Sequence, residues 1–208
     1  MFYTIKENNE TKLVEKKSIF IANLYYIETE EEANLLIKQI EKKYFDAKHH
    51  CFAYRLQNEE NIIERFSDNG EPSGTAGQPI LNIIRGKNLT NVLIVVTRYF
   101  GGILLGTGGL VRAYAESSKQ VLENINIVKK DIGSKIIFEV SYNDLEKLKY
   151  YLRQNNINIY KIDYFENIQV YVEITNESLE KIEKNEKELN FKIISQKNIE
   201  EKCAIIVE

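Results

Sequence analysis

The 208-residue chain has no tryptophan, one methionine, and only two each of cysteine, proline and histidine. Cys51 and Cys203 have neither metal-ligand spacing nor a nearby partner, so both are expected reduced and buried in a cytosolic protein rather than in a disulfide framework. His49 and His50 with Cys51 supply too few ligands for zinc, and no metal or cofactor is expected. The longest apolar runs are far too short to cross a bilayer. The opening MFYTIKE has no basic region and no apolar stretch, which argues against a secretory signal and for the cytoplasm. The net charge is −3, so no global field draws nucleic acid. Residues 1–130 carry 17 basic against 16 acidic side chains, and residues 131–208 carry 11 against 15. A polyanion site would therefore be a local patch on the first half.

Glycine is scarce elsewhere but dense in one place. Nine of ten glycines, and both prolines, fall between Gly70 and Gly109. There the apolar run Val92 to Val96 leads through Thr97-Arg98-Tyr99-Phe100 into two glycine clusters and an amphipathic segment. That pattern is a buried strand, a glycine-rich turn and the start of a helix near Thr107. Such a turn aims backbone N–H groups at one spot with the positive end of a helix dipole behind them. Its alternative meaning is tight packing of helix on sheet. The dinucleotide fingerprint fails, because Gly106-Thr107-Gly108 continues as Gly109-Leu110-Val111. The phosphate-cradle motif laid on Gly101 to Gly106 meets Thr107 where it requires lysine.

Elsewhere, residues 12–27 read as extended. Thr29 is a helix cap followed by three glutamates, and Ala33, Leu36, Ile37 and Ile40 recur at helical spacing up to Tyr44. Residues 50–57 and 62–66 form a hairpin around Asn58-Glu59-Glu60-Asn61, followed by the loop SDNGEPSGTAGQP and a short helix over Ile80 to Ile84 that ends at Gly86. After a short linker, Lys129 to Gly133, the order is β-α-β-β-α-β. Its strands are Ile136 to Val140, Ile157 to Tyr164, Ile168 to Ile174, and a last extended part in two pieces, Phe191 to Ile194 and Lys202 to Val207. Asn143 or Asp144 caps its first helix, and Ser178 starts its second, with Leu179, Ile182 and Leu189. The expected fold is α+β, with domains at 1–130 and 131–208, the second ferredoxin-like.

Two chemistries compete for a site. Arg98 and Arg112 flank the glycine loop and can fork onto phosphate. The set for binding an anion or nucleic acid is Arg98, Tyr99, Gly101, Gly102, Gly106, Thr107, Gly108, Gly109 and Arg112, with Tyr99, Phe100 and Tyr114 near enough to stack on a base. Arg112 is expected on the exposed edge of its helix. Arg98, at a strand end, is expected to hold the loop through its carbonyls. The enzymatic set is His50, Asp68, Glu71 and Ser73, with a carboxylate or His50 as base and Ser73 as nucleophile. Gly-Glu-Pro-Ser-Gly is not the nucleophile elbow, and turn chemistry explains that loop as well.

The blocks HHCFAY, SDNGEPSGTAGQPIL and VTRYFGGILLGTGGLVRAY resemble the IMPACT family in its bacterial, YigZ-type branch, from about Lys17 to the C-terminus. The resemblance implies a first domain similar to ribosomal proteins and to domain IV of elongation factors. It also implies a ferredoxin-like second domain similar to the last domain of elongation factor G. Eukaryotic members of the family carry an additional N-terminal RWD domain, for which this chain has no room, and restrain a translation-regulating stress kinase. The resemblance points to a cytosolic protein that engages RNA, the ribosome or translation factors. A small phosphoryl- or acyl-transfer enzyme and a pure protein-interaction module are the alternatives.

Overall fold

The computed structural model describes residues 1–58, 61–184 and 190–206. The chain divides into two compact units, Phe2–Val128 and, with Met1, the residues from Lys129 onward.

The first unit begins with β1 (Phe2–Ile5), β2 (Asn9–Glu15), β3 (Ser18–Tyr26) and α1 (Glu30–Lys43). It continues with β4 (His49–Asn58), β5 (Asn61–Ser67), α2 (Gly77–Gly86), β6 (Val92–Tyr99) and α3 (Gly106–Val121). Five strands pair antiparallel in the order β2-β3-β6-β4-β5. The central strand β6 is buried from Val92 to Arg98, and its alternate residues serve opposite faces. Val92, Ile94 and Val96 join Phe20, Ala53, Ile80, Leu81, Leu110 and Tyr114 under α2 and α3. Leu93 and Val95 join Ala33, Ile37, Ile40 and Leu56 under α1. A strand covered on both faces must be apolar throughout, which explains the unbroken run in the sequence.

Local sequence sets the helix ends. Thr29 accepts the Glu32 N–H at 3.1 Å and so caps α1. The last residues of the glycine- and proline-rich loop are already helical, because α2 starts at Gly77 with Pro79 in its first turn, where a missing N–H costs nothing. A Cβ at Gly77 would lie 2.8 Å from the Ser67 backbone, so only glycine lets the two segments approach.

The second unit contains most of β7 (Ile127–Val140), then α4 (Leu145–Gln154), β8 (Asn158–Tyr164), β9 (Ile168–Thr175), α5 (Asn176–Lys184) and β10 (Ile193–Ile206). Its strands pair antiparallel in the order β10-β7-β9-β8, the ferredoxin-like arrangement. Alternate residues Ile136, Phe138 and Val140 of β7 and Ile168, Val170, Val172 and Ile174 of β9 pack with Leu145, Leu148, Leu152 and Ile182. The fold is α+β, as the sequence led us to expect.

Details differ from the sequence reading. Lys129 to Gly133 is strand rather than linker, because β10 pairs with it down to Ile206 opposite Lys130. Asp144 sits at the start of α4 without capping it, since its carboxylate binds Ser141 and Lys147 instead. The second helix starts two residues before Ser178, and Thr175 Oγ1 accepts the Ser178 N–H. Glu59, Glu60, Leu189, Val207 and the Cys203 side chain lie outside the described residues.

Candidate nucleic-acid interface

His49 and His50 stand at the start of β4, opposite Arg98 and Thr97 of β6, and so face opposite sides of the sheet. His50 lies on the α1 side, buried, with Nδ1 3.1 Å from Thr97 Oγ1. Burial lowers its pKa below the ordinary histidine value. Asp68 and Glu71 lie on the other side. The Cys51 thiol donates to the Asp68 carbonyl, and Tyr114 donates to Glu71. The four residues of the enzymatic set are therefore not brought to one point.

Both carboxylates of that set are already engaged. Asp68 Oδ1 accepts the Ala76 and Gly77 N–H groups at 2.9 and 2.8 Å, and Oδ2 accepts that of Gly74 at 2.8 Å. It thereby caps α2, whose own N-cap residue, Ala76, has no acceptor. Glu71 Oε1 receives Arg98 Nη1 at 2.7 Å and the Tyr114 hydroxyl at 2.8 Å. Ser73 is exposed. Among the described residues, no three His, Cys, Asp or Glu side chains converge as metal ligands.

Arg98 is an internal residue. Its side chain is 7% exposed and that of Glu71 3%. Nη2 reaches Ser18 Oγ at 3.4 Å, and the same oxygen lies 3.3 Å from the Gly101 nitrogen. Arg98 thus holds the loop through the Ser18 hydroxyl rather than through loop carbonyls. Tyr114 is fully buried, edge-on to Phe20 at 5.1 Å, and its phenol pKa is strongly raised by burial, so it is not placed to stack on a ligand. Tyr99 donates to Asp46 at 2.7 Å, and this bond, more than burial, raises its pKa to about 12.

The glycines divide by cause. Gly101 packs on the β2–β3 turn, where an added Cβ would lie 2.0 Å from the Lys17 carbonyl carbon, inside any tolerable contact. Gly102 and Gly106 have positive φ. Gly108 has neither reason: a Cβ there would meet only Arg112 Nη1, at 3.8 Å. Glycine in a helix is unfavourable by roughly 1 kcal/mol against alanine, and nothing in the protein's own packing requires it at this position.

Around Gly108 the surface is suited to negative charge. α3 begins after Leu105, with no capping side chain and no acid in its first turn, unlike α1, which has Thr29 and three glutamates, and unlike α2, which Asp68 caps. Gly106, Thr107 and Gly108 are exposed there. The two-residue turn joining β2 to β3 presents Lys16 and Lys17, both exposed and both at positive φ (46° and 67°), where Asn-Gly is the favoured pair. A cleft of about 500 Å³ brings Lys16, Arg112 and Lys119 together beside Leu105 and Gly109, with Glu15 and Glu116 on its wall. Sequence reasoning missed Lys16 and Lys17. Two lysines between alternating strands carry no motif, and their link to the glycine loop is the Gly101 contact, across more than eighty residues.

The lining of this cleft includes no residue of the loop Asp68 to Gly77. That loop meets the two elements flanking the glycine-rich turn, Arg98 of β6 and Tyr114 of α3, through the buried Glu71 carboxylate.

Comparison with known proteins agrees with this architecture. Residues 16–122 match the Impact N-terminal domain, and residues 138–185 match a domain of unknown function, DUF1949. The chain is 40% identical over 174 residues to IMPACT family member YvyE of Bacillus subtilis, covering 83% of this chain and 80% of that protein. It is 36% identical over 150 residues to IMPACT family member YigZ of Escherichia coli, covering 72% of this chain and 74% of that one. A crystal structure of a hypothetical protein superposes with a TM-score of 0.64 at 29% identity, over 91% of this chain and 92% of that one. Among the described residues, no helix is long and apolar enough to cross a membrane. The domain matches, the identities and their coverage together place this chain in the IMPACT family.

Proposed function

We propose that this chain is a non-enzymatic, cytoplasmic binding protein that engages RNA, on the ribosome or in a translation-factor complex, through the surface around the start of α3. The observation that carries this reading is the convergence of Lys16 and Arg112 on one cleft beside an uncapped helix N-terminus. Backbone N–H groups and cationic side chains there suit a phosphate backbone, and the open approach at Gly108 suits close contact. In this reading Gly106, Thr107, Gly108 and Gly109 supply backbone contacts and Arg112 supplies charge. Lys17 extends the basic edge. Arg98 and Gly101 position the loop from within. The engagement of Asp68 and Glu71 inside the protein weighs against the enzymatic alternative. The resemblance to elongation-factor domains supports translation as the setting.

Co-sedimentation with purified ribosomes tests the proposal. The wild-type protein is expected to pellet with ribosomes at low salt, and Lys16→Ala/Lys17→Ala/Arg112→Ala to remain in the supernatant. Equal pelleting of the two, or none by wild type, contradicts it.

A further inference from the structure

On the other side of the glycine loop, a cleft of about 520 Å³ is lined by Asp46, Ala47, Lys48, His49, Arg98, Tyr99, Phe100 and Leu104. Its rim is apolar although it faces water: Phe100 is 55% exposed and Leu104 83%. Phe45, next to the lining residue Asp46, is 84% exposed. Single apolar residues at a surface need no explanation, but a set gathered on one cleft does. The Phe100 ring is held from behind. The Arg98 guanidinium lies 5.7 Å from its centroid and 5.6 Å from that of buried Phe20, and Glu71 pins that guanidinium. An aromatic ring fixed on a cation, with more than half its surface open, is a pre-organised stacking platform.

The polar groups of the cleft define what they can recognise. His49 Nδ1 lies 2.9 Å from the Asn69 carbonyl oxygen, which can only accept. Nδ1 therefore carries the proton, and in the neutral ring Nε2 is an acceptor. Tyr99 donates to one oxygen of Asp46, leaving the other to accept. Two acceptors beside an aromatic face suit a planar ring that carries an amino group. Lys48 on the lining supplies positive charge for an adjoining phosphate.

We infer that this cleft receives one unpaired, amino-bearing nucleobase of a single-stranded RNA, stacked on Phe100, while the neighbouring phosphates lie at the start of α3. The inference rests on the RNA reading above, and the Phe100–Leu105 segment, which leads directly into α3, joins the two subsites.

Binding of a single-stranded RNA containing 2-aminopurine, an amino-bearing fluorescent base, tests it, with anisotropy giving affinity and 2-aminopurine emission reporting stacking. Wild type is expected to change the emission on binding and to prefer oligo(A) to oligo(U). Phe100→Ala is expected to lose the emission change and to weaken binding by about 5- to 100-fold, with its slope of log affinity against log salt unaltered. Phe100→Leu, apolar but without a ring, is expected to behave like Phe100→Ala, and unchanged circular dichroism melts of both variants exclude a folding defect. RNA binding that depends on Arg112 but is indifferent to Phe100 overturns the stacking site and leaves the phosphate reading standing. Absence of RNA binding by wild type overturns both. Capture of an apolar peptide that competes with the RNA and requires Phe100, without any emission change, assigns the cleft to a protein partner and also overturns the inference.

Discussion

The Glu71 carboxylate and the Arg98 guanidinium meet at 2.7 Å with almost no solvent contact, joining the polar loop before α2 to the end of strand β6. Removing one member strands a buried charge, which costs about 3–5 kcal/mol, whereas replacing both with apolar groups of similar size is often close to neutral. Arg98→Ala and Glu71→Gln are therefore each expected to lower stability by about that amount. Arg98→Met/Glu71→Leu should recover most of the loss. Urea unfolding midpoints of the four proteins check this, and additive losses in the double variant would contradict it.

The glycines offer a second test, because two close neighbours are expected to respond in opposite directions. Gly101→Ala drives a methyl group into the Lys17 backbone and should cost about 3 kcal/mol or more. Gly108→Ala enters open space in a helix and should stabilise by up to about 1 kcal/mol. The same Gly108→Ala protein should bind RNA more weakly, because the methyl group occupies the approach to the helix start. Thermal melts and an RNA titration of the two variants read both effects.

His50 links stability to pH. Burial lowers its folded pKa, so the unfolded chain takes up a proton more readily than the folded one. Its contribution is fully present above the ordinary histidine value, near pH 6.5, and is lost as pH falls from there through the lower folded value. His50→Gln should be less sensitive than wild type between pH 7.5 and 5.5. Denaturant midpoints at the two pH values measure the difference, and equal sensitivity would contradict the assignment.

Much of the fold was legible in the sequence because the deciding signals were local. Thr29 with three following glutamates marked α1, the run Val92 to Val96 marked a buried strand, and the β-α-β-β-α-β order marked the ferredoxin-like plan. Gly77 and Pro79 misled because a residue type that favours turns also suits the first helical turn when a distant carboxylate, Asp68, caps it. Lys129 to Gly133 misled because strand pairing there is supplied by β10, more than sixty residues later. The site was legible only as a glycine loop near arginines. Composition could not reveal that Arg98 is neutralised inside by Glu71, or that Lys16 and Lys17 are brought to the loop by the Gly101 contact, since both depend on long-range packing.

The second unit carries its own apolar cluster, so a chain fragment from Lys129 to Glu208 is expected to fold alone. A cooperative thermal transition by circular dichroism is the expected result, and a featureless unfolded spectrum would contradict it.

The central claim is that phosphate contacts at Lys16, Lys17 and Arg112 anchor RNA, and the salt dependence of binding tests it most directly. The affinity of a labelled single-stranded RNA is measured across a range of salt concentrations for wild type and the three single alanine variants. Each variant is expected to lower the slope of log affinity against log salt by roughly 0.7–0.9, with little change in stability. Slopes and affinities identical to wild type in all three variants, or no binding by wild type, would contradict the account.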